Sequence, residues 1–163
     1  MVYKRLAFMA VILMFFTFPV MASMVSFLVV ETGLSEGAPS TPYTGLWEGG
    51  LMDAFFDAGF IVTNSPAARM EKKPVQDLSG LVEQDFREAV DGGADYFVLA
   101  FLEYQTKGGV SNPVQIALKL YKTDSKKLIY EKSFPAGQGK NLNEEYKNAQ
   151  EAGRNIASQA KVR

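Results

Sequence analysis

The chain has 163 residues, enough for one domain with its own core, and its 17 basic and 18 acidic side chains nearly cancel. It has no cysteine and no histidine, which removes disulfide frameworks, thiol nucleophiles, Cys/His zinc sites and imidazole proton transfer. The balanced charge is not the concentrated basic footprint of a nucleic-acid binder.

Lys4 and Arg5 precede a run from Leu6 to Ala22 that is apolar except for Thr17 and Pro19. A positive start, an apolar centre and small residues at a cut are the layout of a secretory signal. Val20-Met21-Ala22 before Ser23 supplies the cut, and Pro19 breaks the helix just upstream. The expectation is a signal peptide over 1–22 and a single domain over 23–163, exported to the periplasm. Secretion, or retention as a membrane anchor if the signal is uncleaved, is the alternative. Ser23 stands where a lipoprotein signal needs cysteine, so no lipid anchor is expected.

Met24 to Glu31 is β-branched and apolar, as in a strand covered on both faces. Thr32 to Thr41 reads as a loop, with Ser40 or Thr41 as helix cap and Pro42 at the first helical position. Leu46, Leu51, Ala54, Phe55 and Ala58 then follow helical spacing up to Gly59. Gly45, Gly49 and Gly50 either let this helix approach a sheet or mark a start nearer Trp47. Phe60 to Asn64 is a short strand, and Ser65 to Lys73 is a connection without structure.

Leu78, Leu81, Val82, Phe86, Ala89 and Val90 form one face of a helix that exits through Gly92-Gly93. Asp95 to Gln105 is a long strand, Thr106 to Pro113 a hairpin loop, and Val114 to Thr123 an alternating strand. A turn at Asp124–Lys127 leads to a last strand, Leu128 to Phe134. After Pro135–Lys140, Asn141 and Glu144 form a capping pair for a helix with a thin, alanine-rich face. The fold class is α/β (α+β): a single mixed sheet with element order β-α-β-α-β-β-β-α, closing in a three-stranded antiparallel meander.

No constellation carries chemistry by itself. The glycine runs lack the Lys-Ser or Lys-Thr of a phosphate loop. Asp53 with Asp57, and Glu83 with Asp85 and Glu88, read as solvated helix faces. Lys119, Lys122, Lys126, Lys127 and Lys132 gather on the meander with Tyr121 and Tyr130, and suit an acidic envelope polymer or a protein better than nucleic acid. Trp47 is either core or an interface anchor. The interaction candidates are Tyr43, Trp47, Tyr104, Lys107, Lys119, Tyr121 and Lys132. No catalytic residue, cofactor or metal is expected.

Phe27–Glu31, Leu51–Val62, the Gly93-Ala94-Asp95-Tyr96 start of a central strand, and the pair Leu118–Tyr121 with Leu128–Glu131 occur in an order that resembles a known group. The sequence is similar to bacterial envelope proteins related to the TolB amino-terminal domain, CsgG and LpoB-type activators of penicillin-binding proteins. That resemblance implies a non-enzymatic domain acting by protein–protein contact in the periplasm or at the outer membrane. The missing lipobox cysteine departs from CsgG and LpoB, and no further hydrophobic segments exist for a secretion pore. The leading expectation is therefore an accessory domain that binds another envelope protein through the Thr32–Thr41 loop, the Thr106–Pro113 hairpin and the meander. The alternatives are a small-ligand or glycan binder with a pocket of Trp47, Tyr43 and Tyr104, and a carboxylate hydrolase using Asp53 and Glu103. The oligomeric state is left open.

Overall fold

The computed structural model describes residues 22–34 and 41–161. The expected signal peptide, apart from Ala22, and most of the Thr32–Thr41 loop lie outside those residues. In chain order the elements are β1 (Met24–Thr32), α1 (Pro42–Asp57), β2 (Ile61–Asn64), β3 (Ala68–Met70), α2 (Leu81–Asp91), β4 (Tyr96–Lys107), β5 (Val110–Lys122), β6 (Lys127–Pro135) and α3 (Leu142–Lys161). They form one open mixed sheet of six strands, ordered β2-β1-β4-β5-β6, with β3 also paired to β1.

β1 is parallel to β2, β3 and β4, and β4-β5-β6 are antiparallel. Because β4 occupies one side of β1, β2 and β3 share the other side in tandem. The crossover through α1 moves outward from β1, and the crossover through α2 moves back across it. Right-handed connections running in opposite directions place their helices on opposite faces. α1 and α3 therefore cover one face, over Phe27, Val29, Val98 and Leu118. α2 covers the other, over Leu28, Val30, Leu99 and Phe101. Burial on both faces is why β1 and the middle of β4 read as unbroken apolar runs.

Four local expectations change. Within the Ser65–Lys73 connection, Ala68, Arg69 and Met70 pair with Val30, Glu31 and Thr32 as β3; three residues are too few to show a period. α2 begins at Leu81, not Leu78, because Gly80 adopts φ 58, ψ −126 and ends the preceding turn. The hairpin loop shrinks to two residues, Gly108 and Gly109, whose φ of 59 and 81 fit the tight turn that matches strand twist. Pro113 lies inside β5, at a bulge where Glu103 faces Gln115, Tyr104 faces Pro113 and Val114 is the extra residue. Finally, Thr41 occupies the α1 cap position without a side-chain cap bond, since its hydroxyl bonds Tyr104 Oη at 2.6 Å.

α1 begins at Pro42, and its Gly50 serves the approach of a helix rather than the sheet. A Cβ on Gly50 would lie 2.7 Å from Ala149 Cβ, and one on Gly153 2.6 Å from Ala54 Cβ. The alanine-rich face of α3 is thus a close-approach seam against α1. Its start is capped as expected: the Glu144 amide donates to Asn141 Oδ1 at 2.9 Å, and Glu144 Oε2 accepts from the Lys140 amide at 3.0 Å.

Candidate functional site

β1 lies where the two crossovers diverge, so its carboxyl end is the position at which open α/β sheets leave a crevice. Glu31 sits there, 6% exposed. One of its oxygens accepts the Thr44 hydroxyl proton, and the other accepts Arg69 Nε at 2.8 Å and Nη2 at 2.7 Å. Tyr104 Oη shares a hydrogen bond with Thr44 Oγ1 at 3.0 Å and another with Thr41. Burial raises the Tyr104 hydroxyl above its ordinary pKa, so it stays neutral. The network joins β3, β1, α1 and β4 beneath a cleft of about 500 Å³ flanked by Glu48 and Ala67. Its charges are matched internally and neutralise one another.

A second concavity, of about 400 Å³, runs between α3 and β6. Trp47 and Phe134 provide its apolar wall, with Lys132, Glu151, Gln138, Asn148 and Asn155 around it. Lys132 Nζ lies 5.0 Å from the Phe134 ring centroid, and the Tyr130 hydroxyl donates to Asn155 Oδ1 at 2.9 Å. The wall is rigid because Trp47 Nε1 donates to Glu145 Oε1 at 2.9 Å. Glu145, 1% exposed, also accepts the Gly137 amide at 2.6 Å and the Gly139 amide at 2.8 Å. One buried carboxylate thus holds the β6–α3 loop against α1. Beside this groove the outer edge of β6 pairs with no strand among the described residues.

The sequence candidates divide among several places. Trp47 and Tyr104 are buried in the core between the sheet and α1/α3, and Tyr43 packs against it. The three do not line one pocket: Tyr104 lies behind the cleft, bonded to Thr41 and Thr44, and Trp47 backs the groove. Lys107 is exposed at the hairpin tip. Strand register splits the lysines. Lys132 pairs with Leu118, whose face meets α1 and α3, whereas Lys119 pairs with Glu131 on the α2 face. There Lys119 Nζ contacts Asp77 Oδ2 at 2.7 Å and Glu131 Oε1 at 3.1 Å, and the Tyr121 hydroxyl donates to Asp77 at 2.6 Å. Burial pulls the Lys119 pKa down, but these hydrogen bonds outweigh it and the net shift is upward. Lys119 and Tyr121 are therefore engaged inside the molecule, and the meander presents two surfaces rather than one.

Asp53 accepts the Tyr146 hydroxyl on the α1/α3 side. Glu103, whose strand neighbour Phe101 belongs to the α2-side core, faces the opposite side and pairs with Lys73 at 3.5 Å. The sheet separates the two carboxylates, so they form no hydrolytic pair. Among the described residues, no cluster of three acidic side chains is placed to hold a metal ion.

Sequence pattern missed the residues that organise both concavities. Glu31 carried one signal, a carboxylate ending an apolar strand, and a buried charge needs a partner. Glu145 carried none, because it follows the more conspicuous cap residue Glu144.

Among solved structures, the fold is similar to the PelC dodecamer from Paraburkholderia phytofirmans, at 14% identity over 85% of this chain and 86% of that one, with a TM-score of 0.51. TolB from Acinetobacter baumannii is similar at 11% identity over 85% of this chain and 27% of its own, with a TM-score of 0.39. The LpoB C-terminal domain from Salmonella enterica matches at 17% identity over 78% and 93%, with a TM-score of 0.38. CsgG is not among the structures named here. No curated protein matches the sequence. These likenesses concern the fold. A family model, described as "Uncharacterised protein", matches residues 29–162, from within β1 to the end of α3, and the chain belongs to that family.

Proposed function

We propose that this is a non-enzymatic binding domain of the bacterial envelope, exported to the periplasm, which acts by contact with another envelope protein through the α3–β6 groove and the free edge of β6. The groove carries the reading: Phe134, the cation Lys132, the carboxylate Glu151 and three amides border nine residues of strand edge that is unpaired among the described residues. An extended segment adding to such an edge gains main-chain hydrogen bonds, and the adjacent groove supplies side-chain selectivity. Phe134, partly exposed in front of the buried Trp47, is a favourable anchor because little freedom is lost when a held ring is covered. Phe134 and Lys132 belong to this surface, with Trp47 buried behind it, whereas Lys119 and Tyr121 support the other face.

The test is site-specific photo-crosslinking from position 134 in envelope preparations, with position 85 on α2 as control. One defined adduct from 134 that disappears in Lys132→Glu is the expected result. No adduct, or the same adducts from both positions, refutes the reading. PelC was solved as a dodecamer, so an adduct with the mass of two chains would identify self-association.

A small-ligand or glycan binder is the second reading, favoured by Gln138, Asn148 and Asn155 beside aromatic walls. Saturable binding of a defined oligosaccharide that Asn155→Ala abolishes would select it.

A further inference from the structure

The end of the sheet opposite the cleft is where the chain joins the fold. The Ile61 amide donates to the Ser23 carbonyl at 2.9 Å, and the Met24 amide donates to Asp95 Oδ2 at 2.8 Å. Residues 23 and 24 are thereby fixed at the amino ends of β1, β2 and β4, directly after the apolar run Leu6–Ala22. Two residues of extended chain reach about 7 Å, too little for the domain to turn away from whatever holds that run.

The carboxyl ends of the three helices and the β5–β6 turn reach the same end. Phe56 is 71% exposed there, and Ile61, Val90 and Leu128 are exposed with it. Between the last turns of α1 and α3 lies a groove of about 240 Å³, with Ala54, Ala58 and Ala157 as apolar lining and Asp57, Arg154 and Lys161 as charged side chains. Arg154 and Lys161 have no ion-pair partner among the described residues. Other exposed apolar side chains, such as Val110 beside the Gly108-Gly109 hairpin, lie at the opposite end. The first end is distinguished by holding Ser23 and Met24, which follow the apolar run in sequence, beside the groove that carries Arg154 and Lys161.

We propose that, in the chain carrying residues 1–22, this end lies against a bilayer containing anionic phospholipid, with Phe56 in the interface and lipid phosphate at Arg154 and Lys161. Long cationic side chains keep their stems on apolar surface while their heads meet phosphate, and an exposed aromatic ring is stable at the boundary between headgroups and acyl chains. The opposite end, with the cleft and the Gly108-Gly109 hairpin, then points away from the membrane.

The absence of cysteine allows the test, because Phe56→Cys and Val110→Cys each create one labelling site in the full chain. Each is labelled with an environment-sensitive fluorophore and reconstituted into vesicles of phosphatidylglycerol with phosphatidylcholine, or of phosphatidylcholine alone. A quencher is carried on the lipid, and unchanged Trp47 emission certifies the fold. The expected result is several-fold stronger quenching at 56 than at 110 in anionic vesicles. Arg154→Gln with Lys161→Gln, or replacement by neutral lipid, should reduce that difference. Equal quenching at 56 and 110 means a domain swinging on a tether and overturns the proposal. Quenching at 56 that ignores both lipid charge and the two substitutions overturns the phosphate contact. No protein partner is present, so the result does not depend on the partner reading.

Discussion

Replacing Gly50 by alanine sets two effects of opposite sign against each other. On an unencumbered helix alanine is favoured over glycine by about 0.8–1.0 kcal/mol. At position 50 the added Cβ would lie 2.7 Å from Ala149 Cβ, 3.1 Å from the Tyr146 carbonyl oxygen and 3.2 Å from the Gln150 amide nitrogen. Carbon atoms prefer about 3.5–4.0 Å, so α1 and α3 would have to separate by about 1 Å along the seam that includes Ala152, Gly153 and Ile156. Two of the three obstructing atoms are backbone and cannot rotate away, which places the cost near the top of the overpacking range of about 1–3 kcal/mol. The net expectation is a loss of about 1–2 kcal/mol, or a Tm lowered by about 4–8 °C in a domain of this size. Gly45 is the internal control, because a Cβ there meets nothing within 4 Å. Gly45→Ala in the same helix should raise Tm by about 2–4 °C. Thermal and urea unfolding followed by circular dichroism measure both. If Gly50→Ala also raises Tm, the close approach of the two helices is wrong. A double-mutant cycle with Ala149→Gly should show favourable coupling, since it removes the nearest obstruction.

Three further outcomes are expected. Glu145→Ala leaves two loop amides and the Trp47 indole without their acceptor, and should cost about 2–4 kcal/mol; because Trp47 is the sole tryptophan, a red shift of its emission reports the loosened wall directly. Glu31→Ala removes the carboxylate that accepts from the Arg69 guanidinium and the Thr44 hydroxyl; Thr44 keeps its bond to Tyr104 and Arg69 is partly solvated, so a urea midpoint corresponding to a loss of about 1–3 kcal/mol is expected. Burial and the neighbouring Asp77 raise the Tyr121 pKa from its ordinary 10.0. The folded state then keeps a proton that the unfolded chain releases, so stability is full below pH 10 and falls as pH rises further. Tyr121→Phe should flatten that alkaline slope in unfolding measured between neutral and strongly alkaline pH.

Elements with a period or a local signal were legible. Val82, Phe86 and Ala89 mark the buried face of α2 by spacing alone, and Asn141 with Glu144 marks the start of α3 by local hydrogen bonding. β3 was not legible, because Ala68–Met70 acquires its strand conformation from β1 and from the Arg69–Glu31 pair rather than from its own pattern. Thr41 shows the same limit in one side chain: an isolated helix would use its hydroxyl as a cap, and Tyr104, distant in sequence, takes it instead.

Sequence pattern alone therefore determines the mixed fold, the order of its principal elements and the exclusion of thiol and imidazole chemistry. These follow from residue type and near-neighbour spacing, which act wherever the chain is placed. Tertiary structure decides which charges are neutralised and which remain available. Lys119 and Lys132 look alike along the chain, yet pairing register turns one toward Asp77 and the other toward a groove. Glu31 and Glu145 become structural centres only when β3, α1 and the β6–α3 loop converge on them. A side chain's availability depends on its face of the sheet and on the partners brought to it, and long-range pairing sets both.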